Sequence, residues 1–246
     1  MDPVAFYAFG IGIRWYGILI ASGILLGTLI AIRRAKRVGI NEENILDMLL
    51  FAVPASIVGA RAYYVLFNWE YYAGDFYKII NVRQGGLAIH GGVIGGALVA
   101  YLYCKSKNIS FPKMADICAP SLILGQAIGR WGNFINQEAH GGPTDLPWGI
   151  IVDGVKVHPT FLYESLWNFM VFGVLLWYDK RKKFDGELFL FYLMLYSVAR
   201  FFIEGLRTDS LMFAGMRVAQ LISIGAIVLS AVVVYLVRKK KYNDMI

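Results

Sequence analysis

Charged side chains are scarce in this chain. Only 17% of its 246 residues are Asp, Glu, Lys or Arg, against 58% hydrophobic. Soluble domains carry about 25% charged residues, so that class is excluded. Cysteine is almost missing: Cys104 and Cys118 lie in or beside apolar runs and have no metal-ligand spacing. They read as small packing residues, which leaves no disulfide framework, no zinc cluster and no cysteine nucleophile. There is no HExxH, no GxSxG and no P-loop, and the aspartate-rich pattern of metal-dependent lipid head-group transferases is absent. Those absences leave chemistry without a metal and without a cofactor. No low-complexity segment occurs, and no repeat relates the two halves, which counts against a transporter built from paired repeats. No basic stretch precedes the first apolar run, so the N-terminus is not expected to be a cleavable signal.

Long apolar runs are what the chain has instead. A membrane-spanning helix needs about 20 mostly apolar residues. Seven windows qualify: 15–32, 45–67, 87–104, 115–131, 160–177, 187–206 and 217–237. Their connections are too short for a large soluble part, so residues 1–246 are expected to form one polytopic membrane domain. The formal charge of +7 is bunched: 15 of 24 Lys and Arg fall in 33–37, 105–113, 180–183 and 238–241, all on alternate connections. Such basic connections stay on the cytoplasmic side. The expected fold is an all-α integral membrane protein with seven transmembrane helices, its N-terminus outside and its C-terminus cytoplasmic. The basic charge is then a topology signal, and no nucleic acid is expected as a partner.

Two outer connections are longer than a turn needs. Residues 68–84 are rich in Tyr and Trp, as an interfacial segment is. Residues 132–158 carry Gly141, Gly142, Pro143, Pro147 and Gly154, a compact loop suited to covering an outward-facing site. The third window is glycine-rich, and Gly91/Gly95 and Gly92/Gly96 form small-xxx-small pairs that permit close helix packing. Packing does not explain His90 inside that stretch. Its imidazole is either a hydrogen-bonded packing group or a proton acceptor near pH 7.

Ionisable groups at membrane depth cost from about 3 to more than about 10 kcal/mol, so they are functional candidates by default. Within the windows or at their outer ends these are His90, Arg61, Arg130, Arg200, Arg207, Asp116, Glu138, Glu164 and Glu204. Arg130 opens a polar run, GRWGNFINQE at 129–138, that follows directly on an apolar stretch. Asn133 and Asn136 share a helical face there, either satisfying backbone groups freed at a helix end or binding a ligand. Tyr196, Arg200, Glu204 and Arg207 stack on one face, which must point inward or to a wet cavity. One reading is a structural ladder of paired charges. The other is that Glu204 neutralises only one arginine, so another guanidinium needs an anion from elsewhere. Arginines converging at one end of the spans would suit a phosphate, which guanidinium grips bidentately. Glu164, about one turn beyond Pro159, is expected to pair with Arg61 or another interior arginine.

The stretch GRWGNFINQEAHG, 129–141, matches every fixed position of the motif G-R-x-G-N-F-x-N-x-E-x-x-G. In this it resembles the phosphatidylglycerol–prolipoprotein diacylglyceryl transferases. RWYG at 14–17, the glycine block around His90, HPTFLYES at 158–165 and YSVARFFIEGLR at 196–207 look like the same family, in the same order. The resemblance implies transfer of the sn-1,2-diacylglyceryl group of phosphatidylglycerol to the lipobox cysteine thiol of preprolipoprotein signal peptides. A thioether forms and glycerol 1-phosphate leaves, in the cytoplasmic (inner) membrane of a bacterium. The implied partners are that lipid, that peptide and the bilayer, with no cofactor, and nothing demands more than a monomer. Arg130 and Arg200 are implied to bind the phosphate and stabilise the leaving group, with Arg207 a further cation beside Glu204. Asn133, Asn136, Glu138 and Gly141 would bind the glycerol head group and fix Arg130, and Tyr16 and Tyr196 would lie near the lipid. His90 matches the general base, unless an arginine-assisted route to the thiolate leaves it structural. A transporter for an anionic lipid or solute, and a non-catalytic lipid-binding scaffold, are the readings from other classes.

Overall fold

A computed structural model describes residues 2–82, 85–208, 210–213 and 215–244. Arg83 and Gln84, at the end of the aromatic 68–84 segment, lie outside the described residues. In chain order the helices are α1 (Trp15–Arg37), α2 (Glu43–Phe67), the short α3 (Trp69–Tyr72) and α4 (Phe76–Ile80), α5 (Ile89–Ser106), α6 (Phe111–Ile135), α7 (Thr160–Tyr178), α8 (Glu187–Glu204) and α9 (Val218–Asn243). Each of the seven long ones overlaps one apolar window. Among the described residues, four segments are long and apolar enough to cross a membrane: α1, α2, α9 and the stretch Thr160–Arg181 that contains α7. This is a membrane protein. The glycines and His90 of α5, the polar end of α6, and the three charges Glu187, Arg200 and Glu204 of α8 keep those helices outside this set.

The all-α expectation is incomplete, because three short antiparallel strand pairs accompany the helices among the described residues. They are β1 (Val4–Ala8) with β2 (Ile11–Arg14), β3 (Ile150–Val152) with β4 (Val155–Val157), and β5 (Met212–Phe213) with β6 (Met216–Arg217). Asp153 and Gly154 turn the second one with φ of 49° and 80°, the paired positive values of a type I′ turn. Among the described residues, every hairpin lies before α1 or in the connections α6–α7 and α8–α9, while the connections 38–42, 107–110 and 179–186, which adjoin or carry the basic clusters, are short.

The chain packs as two compact units, Met1–Ala31 with Ala115–Ile246, and Ile32–Met114. In the second unit, α2 and α5 approach backbone to backbone. A Cβ on Gly59 would sit 2.5 Å from the Gly91 carbonyl oxygen, and one on Gly95 would sit 2.5 Å from that of Ala55. The small-xxx-small spacing of α5 is therefore used for packing, as expected. Arg61 of α2 donates to the carbonyls of Ile79 (2.8 Å), Lys78 (2.6 Å), Gly85 (2.8 Å) and Gly86 (2.9 Å). Its guanidinium lies over the Tyr72 ring at 4.9 Å, so it ties the chain that leads into α5 and is not a partner of Glu164.

In the first unit, Ala119 and Ile123 of α6, Val171 and Leu175 of α7, and Leu188 and Tyr192 of α8 form a buried core. Helix α1 joins α6 through small residues: Ser121 Oγ donates to the Gly27 carbonyl at 2.6 Å. Asp116 sits at the end of α6 remote from Arg130 and serves structure there. Its carboxylate accepts from the N–H groups of Gly186 and Phe189, both at 2.9 Å, and so caps α8, with Lys182 Nζ at 2.8 Å.

Candidate active site

Five charged side chains from α6, α7, α8 and the turn after it form one line in the first unit. Arg130 Nη2 lies 2.5 Å from Glu164 Oε2, and Glu164 Oε1 lies 3.0 Å from Arg200 Nη1. Arg200 Nη2 is 2.8 Å from Glu204 Oε2, and the same oxygen is 3.9 Å from Arg207 Nε. Signs alternate along this ladder, which has three guanidiniums, two carboxylates and a formal charge of +1. The Arg200–Glu164 contact is an aligned hydrogen bond, whereas Arg130 meets Glu164 as an ion pair only.

The sequence left one guanidinium short of an anion, and Glu164 supplies it to two of them. Exposure then divides by sign: Glu164 and Glu204 are 3% and 5% exposed, against 21% for Arg130, 20% for Arg200 and 12% for Arg207. The carboxylates are buried braces, and the guanidinium edges are what an arriving anion meets. A planar guanidinium held in this way is preorganised for a phosphate. Helical periodicity explains only part of the ladder. Helix α8 ends at Glu204, so Arg207 is placed by the turn that follows. Arg217 holds that turn, donating to the carbonyls of Gly205 at 2.6 Å and Arg207 at 3.0 Å.

The polar run continues the line on the other side. Arg130 Nη1 reaches Asn133 Oδ1 at 3.5 Å, and Asn133 Nδ2 donates to Glu138 Oε1 at 2.9 Å. Asn136 Nδ2 donates to that oxygen at 3.3 Å. The asparagines thus serve Glu138, and not the carbonyls left open where α6 ends. Gln137 and Ala139 take φ of 55° and 57°, which folds Glu138 back over the last helical turn. Next to the charged residues, Trp131 Nε1 donates to Ser165 Oγ at 3.1 Å, and Ser165 Oγ donates to the Ala127 carbonyl at 2.9 Å. Phe134 stacks on Phe161 with centroids 4.6 Å apart. These contacts set the register of α6 against α7, and with it the Arg130–Glu164 pair.

Two motif glycines are required by close approach. The Tyr16 ring lies against Gly132 where a Cβ would be, which packs Tyr16 on α6 at the residue before Asn133. A Cβ on Gly141 would sit 2.7 Å from His158 Cβ and 3.1 Å from the Leu206 carbonyl oxygen, at the point where Gly141 bridges to Arg207. Gly141 therefore joins the loop between α6 and α7 to the ladder by its backbone. Tyr196 is half-buried one turn before Arg200 and stacks on Tyr192, with centroids 6.2 Å apart. His90 belongs to the other unit. It lies in the first turn of α5, exposed, with its ring 6.0 Å from that of Tyr63. It is at the rim of the glycine-rich helix and not inside its packed face.

Sequence reasoning flagged Glu164 but did not place it in the site, and it missed Arg217 and Ser165 altogether. For Glu164 the signal was available, since a carboxylate inside an apolar helix is rare without a task. Arg217 and Ser165 act through a backbone turn and an interhelical hydrogen bond, for which a sequence carries no comparable mark.

The family model for prolipoprotein diacylglyceryl transferase matches residues 3–236. A phosphatidylglycerol–prolipoprotein diacylglyceryl transferase of Clostridioides difficile (strain 630) is 59% identical over 244 residues, 99% of this chain and 98% of that one. The enzyme of that name from Finegoldia magna is 55% identical over 242 residues, covering 98% and 97%. The one from Bacillus cytotoxicus is 52% identical over 256 residues, covering 99% and 95%. With identity of this order along almost the whole length, and the motif residues gathered into one charged line, the chain belongs to the prolipoprotein diacylglyceryl transferase family.

Proposed function

We propose that this chain transfers the diacylglyceryl group of phosphatidylglycerol to the lipobox cysteine thiol of preprolipoproteins. The observation that carries the reading is the ladder, in which buried carboxylates hold accessible guanidiniums ready for an anionic phosphate. A cysteine thiolate attacks the glycerol carbon bonded to the phosphate oxygen. The carbon–oxygen bond breaks, a thioether forms, and glycerol 1-phosphate departs. Arg130 and Arg200 stabilise the charge that grows on the departing phosphate, with Arg207 behind them. Asn133, Asn136 and Glu138 bind the glycerol head group, and Tyr16 and Tyr196 flank the lipid. His90 takes the thiol proton. A free thiol has a pKa of about 8.5, so a neutral imidazole is a suitable acceptor. Support for that role comes from its exposure at the start of α5 and from the family's glycine-flanked histidine.

In this reading seven helices cross the bacterial cytoplasmic membrane as one polytopic domain, with the N-terminus outside and the protein acting as a monomer. The basic ends of α1 and α9 and the short basic connections support that orientation. The test is direct. Purified protein is incubated with phosphatidylglycerol and a peptide bearing a lipobox cysteine, and the peptide mass is read. A diacylglyceryl increment that is lost when serine replaces the cysteine is the expected result. Arg130→Lys keeps the charge but loses the planar fork, and should lose most turnover. An unchanged peptide mass with the wild-type protein would overturn the assignment, and near-normal turnover in Arg130→Lys would overturn the role of Arg130.

A further inference from the structure

We propose a second lipid site, at the end of α8 and α9 opposite the ladder, which takes the phosphate of an anionic phospholipid. Helix α8 is 18 residues long, so about 27 Å of helix separates this end from Glu204. A cleft of about 520 Å³ opens there, walled by Met194 of α8 and by Ala231, Val234 and Tyr235 of α9. Lys183, Arg238 and Lys239 line the same cleft. On α9 the lining residues recur at three- and four-residue spacing. One helical face thus passes from apolar Ala231 and Val234 through Tyr235 to the cations Arg238 and Lys239, with Tyr242 beyond them. The apolar part of α9 runs from Val218 to Val237, about 30 Å of helix and the thickness of a hydrocarbon layer. Arg238 therefore falls at the depth of lipid phosphates, and Ala231 and Val234 fall at the depth of an acyl chain.

The cations are arranged so that positive charge is left over. Glu187, fully buried, accepts from Arg238 Nε at 2.6 Å and from the Lys183 N–H. Tyr178 OH accepts from Arg238 Nη2 at 2.6 Å. One carboxylate thus fixes one guanidinium. Lys183 and Lys239 have no carboxylate partner among the described residues, and Lys241 is held to the Lys183 carbonyl at 2.8 Å. Orientation in the membrane requires basic charge, but it does not require a cleft whose walls grade from acyl-like to cationic. Apolar walls select a lipid over a soluble phosphate, and the surplus charge selects an anionic head group.

The site rests on the proposed orientation for its leaflet, but its test does not depend on diacylglyceryl transfer. Full-length protein is reconstituted in phosphatidylcholine nanodiscs doped with phosphatidylserine, and the lipid retained on release is read by native mass spectrometry. The wild type should keep one phosphatidylserine in preference to phosphatidylcholine. Lys183→Gln with Lys239→Gln should weaken that preference by about 30-fold, about 5-fold per lysine. Arg130→Gln, at the other end, should leave it unchanged. Transfer is measured on the same protein preparations in parallel nanodiscs doped with phosphatidylglycerol, with a lipobox-cysteine peptide added, and should survive the double lysine substitution. No preference for phosphatidylserine, or retention that the lysine pair does not affect, overturns the second site. So does retention lost only in Arg130→Gln, because the lipid would then sit at the ladder. Absence of transfer in all samples would count against the proposed activity alone.

Discussion

Glu164→Gln tests whether the ladder works by position or by charge alone. Glutamine keeps the shape and one acceptor, but it removes the charge that Arg130 and Arg200 share at 2.5 and 3.0 Å. Each guanidinium then loses an attraction of about 4 kcal/mol, taken at about 4 Å with an effective dielectric of about 20. The two cations are left facing one another without the carboxylate that stood between them. Breaking a buried ion pair costs about 3–5 kcal/mol in practice. Both arginines are about one-fifth exposed, so water recovers part of the loss and the low end of that range applies. A cost of about 3 kcal/mol lowers Tm by about 6–12 °C in a chain of this length. Turnover should fall further, by about 100-fold, because an ångström of misplacement at a reacting centre has that effect. KM for phosphatidylglycerol should not rise, since the ladder's formal charge goes from +1 to +2. The assay is transfer to a cysteine peptide, read by mass, for kcat and KM, with thermal unfolding of the same detergent-solubilised protein followed alongside. Glu164→Asp keeps the charge on a shorter arm and should restore stability more than turnover. Wild-type kcat in Glu164→Gln, or a raised KM with kcat intact, would refute the brace.

Three further outcomes are expected. His90→Gln should cut turnover severely while binding of phosphatidylglycerol persists, and retained turnover would reduce His90 to a packing residue. Gly132→Ala forces the Tyr16 ring aside and should cost about 1–3 kcal/mol. The double variant with Tyr16→Ala should be no less stable than Tyr16→Ala alone, and additive losses in thermal unfolding would refute the contact. At the opposite end, burial lowers the Lys182 pKa, but hydrogen bonds and charge from Asp116 and Asp185 outweigh it and hold the ammonium above its ordinary value. A folded pKa raised in this way gives stability that is complete below the unfolded value of about 10.4 and lost as pH rises through the folded one. Lys182→Met should therefore lower Tm at neutral pH and remove part of its fall above about pH 10, and identical profiles for the two proteins would contradict the pairing.

Much of the helical frame was legible because a long apolar helix announces itself by length and composition. The seven windows and the seven long helices coincide to within a few residues at most ends. The hairpins were legible too and passed unread. Residues 150–157, IIVDGVKV, hold an Asp-Gly between two β-branched runs, which is a strong local signal for a type I′ hairpin. It was missed because apolar runs of membrane length dominate the pattern, and three-residue strands add little to it.

Within the site, the line between legible and hidden follows the physics of each contact. Arg200 and Glu204 are four apart on one helix, so their pairing at 2.8 Å follows from periodicity alone. Glu164 comes from α7, and which arginine it meets depends on how α6, α7 and α8 slide along one another. That register is set by the Trp131–Ser165–Ala127 hydrogen bonds and the Phe134–Phe161 stack, each of which looks like ordinary packing in the sequence. The choice between Arg61 and the ladder was undecidable for the same reason. A guanidinium finds four backbone carbonyls as good a partner as a carboxylate only when a loop wraps around it, and Arg61 has such a loop. The residues of the motif thus name the chemistry, while the uncharged neighbours Trp131, Phe134, Phe161 and Ser165 decide its geometry. Substitutions at those neighbours should act on turnover through Arg130 and Glu164 without touching the lipid.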